Sequence, residues 1–360
     1  MRPAKAVISL AALRANLEQV KQCAPYSSIA AVVKANAYGH GAEQCAATLS
    51  NNANALAVAC IEEALALRST GIQAPILLLE GHFSASELKL AEQNRFWLMA
   101  HNAEQIQQIV DYRGKQQLTV WLKVDTGMHR LGVSPSELPK AHSVLQGASH
   151  VADPIVLATH FSSAEEPSAA VTDSQIETLL ALNQSANAPL SMANSAGILA
   201  HPKAHCDWVR PGIMLYGCSP LGKHHSQRSN TALRPVMSLQ TDVIAIRNVA
   251  AGEGVGYSLK WRAEKPSKIA TVAIGYGDGY PRSAPCGTPV LVNGQRAPLC
   301  GTVSMDMITV DVTETQNVAV GSKVELWGSE LPIDEVATLA NTISYELLTR
   351  MPARVVREHH

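Results

Sequence analysis

The 360-residue chain has no apolar run long enough to cross a bilayer as a helix, so no membrane anchor is expected. It has no basic block, and 29 Lys+Arg against 30 Asp+Glu leave a net charge of −1, which argues against a nucleic-acid surface. Its seven cysteines stand singly at positions 23, 45, 60, 206, 218, 286 and 300. Without a C-x-x-C pair, neither a zinc site nor a disulfide framework is indicated, and no metal is expected. Cys60 and Cys300 lie in apolar runs and read as small, reduced core residues. No internal repeat or low-complexity segment is found. The first ten residues lack the apolar stretch of a secretory signal, and a cytoplasmic protein is expected.

What is present is the composition of a globular protein, 46% hydrophobic and 16% charged, in a length that suits two domains or a barrel with an extension. Short apolar runs at 29–34, 55–61, 75–80, 95–100, 118–125, 154–160, 190–195 and 209–216 read as strands. Helical patterns separate them at 62–68, 85–93, 103–110, 136–145 and 172–185, after a first helix near 10–23. Such alternation implies parallel strands joined by right-handed crossovers. Eight units in about 200 residues suggest a closed barrel rather than an open sheet. With no G-x-G-x-x-G after the first strand, the open-sheet dinucleotide fold loses its best support.

Beyond about residue 232 the pattern changes. Strand-like runs at 235–249, 268–274, 289–292, 296–300, 307–312 and 323–327 are punctuated by glycine and proline. Asn293-Gly294 marks a tight hairpin, and 333–343 is a short helical patch. The polar stretch 221–230 reads as a linker or surface loop. The expected fold is α/β, an N-terminal (β/α)8 TIM-type barrel over 8–228 plus a C-terminal mostly-β domain over 229–360.

The chemistry gathers at the carboxyl ends of the expected strands, where barrels of this kind carry their active sites. In A-V-V-K-A-N-A-Y-G-H-G a buried strand stops at Lys34. A lone lysine there more often snorkels to solvent. Held at the edge of a buried strand, it must pair its charge or give it up, and an imine with an aldehyde cofactor is one way of giving it up. The fifth strand runs through Lys123 into D-T-G-M-H-R-L-G near Arg130. The sixth ends at Thr159-His160, the seventh at Asn194-Ser195, and the eighth carries Arg210 ahead of Pro211-Gly212-Ile213. Ser195 opens a short helix as an N-cap, and with the backbone N–H groups of Gly212 and Ile213 it suits a phosphate.

These motifs, with V-R-P-G-I-M-L-Y-G, G-E-G-V-G-Y, I-G-Y-G-D-G-Y, S-M-D and T-I-S-Y-E in order along the chain, resemble the alanine racemases, pyridoxal-phosphate enzymes of barrel type. The resemblance implies pyridoxal 5'-phosphate on Lys34, with Tyr38 and Tyr345 bonding its phosphate and Arg210 facing the ring nitrogen. It implies two catalytic bases on opposite faces of the α-carbon, Lys34 and Tyr257, with His160 as partner of the tyrosine. It implies that substrate selection comes from Arg130 and the loop of Met305 and Asp306, the Met305 N–H holding the substrate carboxylate and Arg130 standing near the cofactor phenol oxygen, and that Tyr276 narrows the entrance. Where the family often has cysteine, this chain has Ser304. Lys123 matches a lysine carbamylated in several members, and pairing with Asp125 or another acid is the plainer alternative. The leading strand 1–7 is expected in the second domain, and the enzyme is expected to be a homodimer with shared sites, interconverting L-alanine and D-alanine, the latter a peptidoglycan precursor.

Three other readings compete. A non-catalytic cofactor carrier is usually a single barrel, and the β-rich half with Tyr257 argues against it. A decarboxylase of the same design places a glutamate near the ring nitrogen, where Arg210 stands here. A broader amino-acid racemase is the nearest alternative, although those enzymes are often exported.

Overall fold

The computed structural model describes residues 2–166, 168–222, 225 and 231–360. The chain forms two compact units, one of 13–37 and 42–233, the other of 2–12, 38–41 and 234–360. Most of the linker expected at 221–230 lies outside the described residues.

Strand β1 (Lys5–Ile8) belongs to the second unit. The first unit is a closed barrel of eight parallel strands: β2 (Ser28–Val32), β3 (Ala55–Val58), β4 (Ile76–Leu78), β5 (Phe96–Ala100), β6 (Leu118–Lys123), β7 (Val151–Ala158), β8 (Leu190–Ser191) and β9 (Trp208–Val209). β2 closes the ring against β9, Ser28 beside Trp208 and Ile29 beside Val209. Strands β3 and β4 are buried throughout, as expected of strands covered on both faces. Helices such as Ile61–Ser69, Ala103–Asp111 and Ala170–Ala186 link them, the second capped by Asn102 accepting from the Gln105 N–H.

The expected strand at 209–216 is corrected here. It keeps only its start, because Pro211 has no N–H to add to a ladder and Gly212 turns the chain into the 3-10 turn Ile213–Tyr216. The seventh, expected at 190–195, is likewise two residues long before the helix Ser195–Ala200 begins.

The second unit is built on one mixed sheet. Its long strand β10 (Met237–Val249) is followed by the small hairpin β11 (Gly254–Val255) and β12 (Trp261–Arg262), then by β13 (Ser267–Val272), β14 (Pro289–Val292), β15 (Gln295–Pro298), β16 (Ile308–Asp311), β17 (Lys323–Trp327) and β18 (Val356–His359). The sheet order is β15-β14-β17-β10-β1-β18, with β13 and β16 extending from β10. β1 pairs antiparallel with β10 and parallel with β18. Leu239, Val243, Leu326 and Trp327 are buried in its core. β14 and β15 meet across Asn293 and Gly294, both at positive φ, as a two-residue hairpin turn requires.

Candidate active site

Lys34 follows β2 and opens a single helical turn, Lys34–Tyr38, wound the unusual way. Ala35, Asn36 and Ala37 have φ of 52°, 56° and 52°, and Tyr38 follows at 51°. Left-handed backbone costs a residue with a Cβ roughly 1–2 kcal/mol, so the surroundings must hold it. Glu63 accepts the Ala35 N–H at 2.7 Å, Val33 O accepts the Ala37 N–H at 2.9 Å, and Asn36 Oδ1 accepts the Ala42 N–H at 2.8 Å. Among the described residues the Lys34 amine has no hydrogen bond or ion pair.

The same rim carries a group of cations. Lys123 ends β6 and is only 7% exposed. Burial, then the charges of Arg210 and Arg130, push its amine down to about 7, opposed by Asp125. Of the two alternatives for Lys123, pairing with Asp125 does not occur, since no hydrogen bond or ion pair joins them. Asp125 instead accepts the Gly127 and His129 N–H groups at 2.9 and 3.1 Å and faces the His129 ring at 3.1 Å. Burial acts to raise that carboxyl, but these bonds outweigh it and hold it low. The segment 124–133 folds back on itself, with the Asp125 N–H on Val133 O and the Val133 N–H on Lys123 O, and so presents an exposed Arg130. Gly132 permits this: a Cβ there would stand 2.5 Å from the Asp125 nitrogen, and φ is 129°.

Arg210 is 5% exposed and, among the described residues, has no carboxylate partner. It donates to Ser191 Oγ and Thr159 O at 2.6 Å each and to Met192 O at 3.3 Å, and its Nη2 is 3.5 Å from His160 Nδ1. Burial lowers its guanidinium to about 10, so it stays charged at neutral pH. His160 is pushed well below its usual range by burial and then by Arg210, Lys123, Arg130 and Lys34. The imidazole is therefore neutral, and with Nδ1 toward the guanidinium its proton belongs on Nε2.

After β8, between the strands that lead to His160 and Arg210, Asn194 caps the helix Ser195–Ala200 by accepting the Gly197 N–H at 3.0 Å. Ser195 Oγ accepts from Gly212 at 2.9 Å and Met214 at 3.3 Å, so the two segments face one another. The Ile213 N–H donates to no acceptor among the described residues.

The remaining expected residues belong to the second unit. Tyr38 and Tyr345 come together there, ring centroids 6.2 Å apart, and burial raises the Tyr38 hydroxyl to about 12. Tyr257 stands on the turn Tyr257–Leu259 beyond β11, 70% exposed, its hydroxyl without a partner among the described residues. Tyr276 and Met305 are adjacent through backbone bonds and also exposed, and the Met305 N–H has no acceptor there.

Sequence reasoning missed the supports. Gln175, buried in a helix, donates to Thr126 Oγ1 and His160 O and accepts from Ser162, and so ties two loops of the rim together. Nothing in its helical context distinguishes it. Arg2, Asp278 and Arg354 were missed as well, although Asp278 stands in the quoted I-G-Y-G-D-G-Y.

A (β/α)8 barrel with a lysine, a neutral histidine and a buried arginine at its carboxyl rim, followed by a mixed-sheet unit, defines a two-domain barrel enzyme. Residues 8–220 match the alanine racemase N-terminal domain and 236–359 the alanine racemase C-terminal domain. The alanine racemase of Chromohalobacter salexigens is 51% identical over 99% of this chain and 98% of its own. The biosynthetic alanine racemase of Pseudomonas aeruginosa is 47% identical over 100% and 99% of the two chains. The crystal structure of biosynthetic alanine racemase from Pseudomonas aeruginosa superposes with a TM-score of 0.95 at 47% identity, covering 100% of both chains. The chain belongs to the alanine racemase family and is an isomerase of that family.

Proposed function

We propose that the protein interconverts L- and D-alanine in the cytoplasm, with pyridoxal 5'-phosphate on Lys34, as a homodimer with shared sites. The observation that carries this reading is the rim charge: Lys34, Lys123, Arg130 and Arg210 all act on His160, and among the described residues none has a carboxylate partner within ion-pair distance. Such a site favours a ligand that brings its own negative charge, as a phosphate and a substrate carboxylate do. The amine of Lys34, without a partner, fits a covalent attachment point, and the facing segments around Ser195 and Gly212 fit a phosphate.

When bound, the cofactor supplies an aldehyde for the amino group and a conjugated ring that takes up charge as the α-proton leaves. Ser195, Gly212 and Ile213 would hold its phosphate, with Asn194 fixing the start of the helix, and Tyr38 and Tyr345 would bond it through their hydroxyls. Arg210 keeps its proton at neutral pH, so toward the ring nitrogen it would act only as a donor. With a donor rather than a carboxylate in that place, more of the work would fall on well-placed bases.

Lys34 Nζ moves the α-proton on one face and the Tyr257 hydroxyl on the other, as inversion requires. Tyr257 comes from the second copy and meets the rim of the first, whose His160 imidazole, neutral and protonated on Nε2, orients its hydroxyl. The exposure of Tyr257 in the single chain is in keeping with that role. The Met305 N–H holds the substrate carboxylate, Arg130 supports substrate selection beside the cofactor, and Tyr276 limits side-chain size. Lys123, lowered toward neutrality, is nucleophilic enough to add to carbon dioxide; the carbamate formed, with release of a proton, would buttress Arg130.

The test is incubation of the holoenzyme with L-alanine in D2O. D-alanine carrying deuterium at the α-carbon is expected. Cofactor bound on Lys34 with no D-alanine formed would overturn the reading in favour of decarboxylation or cofactor delivery, and equal turnover of bulkier amino acids would point to a broad racemase.

A further inference from the structure

Met305 lies in an irregular loop, yet a donor to a carboxylate must be placed to within a fraction of an ångström. Two loops stitched together supply that placement. The Tyr276 N–H donates to Ser304 O at 3.0 Å and the Gly277 N–H to Met305 O at 2.8 Å. A Cβ on Gly275 would stand 2.2 Å from the Ser304 oxygen and 2.4 Å from the Met305 oxygen, so this approach requires glycine.

Beneath the turn lies Asp278, whose carboxylate is fully buried. Its Oδ2 accepts from the Gly275 N–H at 2.9 Å and from Arg2 Nη2 at 2.6 Å, and its Oδ1 from Arg354 Nε at 2.7 Å. Each arginine then continues to the residue after Met305. Arg2 Nη2 donates to Asp306 O and Arg354 Nη2 to Asp306 Oδ1, both at 2.6 Å. Charge-assisted bonds of this length are the strong class, and a guanidinium fork shared between two carboxylates fixes direction as well as distance. A buried carboxylate needs partners, but one arginine with the backbone would satisfy Asp278. The second arginine, and the extension of both to Asp306, serve the loop.

We propose that Arg354 and Arg2, acting through Asp278 and Asp306, are positioning residues that hold the Met305 N–H and the Tyr276 ring in the geometry that accepts a small α-amino acid. This rests on the reading of Met305 as the carboxylate donor. A bond to the substrate carboxylate is present in the ground state and the transition state alike, so loosening its donor raises KM and leaves kcat nearly unchanged. A purely structural ion pair would instead change stability and leave the KM of folded enzyme where it was.

Steady-state kinetics with alanine on the holoenzyme separate the two. Arg354→Ala should raise KM about tenfold, the loss expected of a charge-assisted contact, with kcat within about a factor of two. Arg354→Lys should fall between, because one ammonium can serve one carboxylate well but not both. Lys5→Ala, which breaks the 2.8 Å pair with Glu358 elsewhere in the same sheet, should leave KM unchanged. If Arg354→Ala fails to fold, Arg2→Ala carries the same test, since its guanidinium also bridges Asp278 and Asp306. Unchanged KM in the folded Arg354 or Arg2 variant overturns the proposal. Met305→Pro, which removes the N–H itself, identifies the other failure. If it leaves KM unchanged, the carboxylate reading has failed; if it raises KM while Arg354→Ala and Arg2→Ala do not, only the network has failed.

Discussion

Lys123 is where burial and charge act most plainly on a single residue. Its folded value of about 7 lies below the ordinary lysine value near 10.4, so between these pH values the unfolded chain holds a proton that the folded chain lacks. Stability therefore rises through this window, and the contribution is lost as pH falls through about 7. The slope from one such group is at most about 1.4 kcal/mol per pH unit. Lys123→Met, studied by denaturant titration of apoprotein in buffer free of carbon dioxide, should flatten the rise between pH 7 and 10. Parallel curves for wild type and variant would show that Lys123 is not depressed. The position of Lys34 was legible, because an apolar run that ends in lysine is conspicuous. The isolation of Lys123 from Asp125 was not: the sequence shows two opposite charges two residues apart, whereas the fold turns Asp125 to cap its own loop.

Among the elements, the left-handed turn Lys34–Tyr38 runs furthest against local preference. Alanine favours right-handed helix, so nothing in K-A-N-A-Y announces the turn, and only Asn36 tolerates it well. Ala35 is exposed, and replacing it with glycine removes the Cβ that opposes a φ of 52°. Alanine to glycine ordinarily destabilises, but here Ala35→Gly should stabilise by about 0.5 kcal/mol or more, relief of strain exceeding the added freedom of the unfolded chain. A lowered thermal midpoint would contradict that account of the turn. Periodicity located the barrel strands well because buried parallel strands are short, continuous apolar runs. It missed β18, whose Val356-Arg357-Glu358-His359 has no apolar pattern and becomes a strand by pairing with β1. The Arg2–Asp278–Asp306–Arg354 network was illegible for a related reason, since its members are distant in sequence, as with Arg2 and Asp306, 304 residues apart.

At the scale of the whole molecule, the β-rich unit exposes Tyr257, Tyr276 and Met305, large side chains that a solitary chain gains nothing by presenting to water. The proposed homodimer gives them a use, with each barrel rim receiving Tyr257 from the other copy. The most direct measurement mixes Lys34→Ala chains with Tyr257→Phe chains, unfolded and refolded together with pyridoxal 5'-phosphate. Each variant alone should have lost at least about a hundredfold in turnover, the usual scale for a positioned base. Heterodimers, quantified by mass, should regain close to half the wild-type activity per dimer, because one site then has both Lys34 and Tyr257. Heterodimers that form and remain as inactive as the separate variants would contradict the sharing of these two bases between copies.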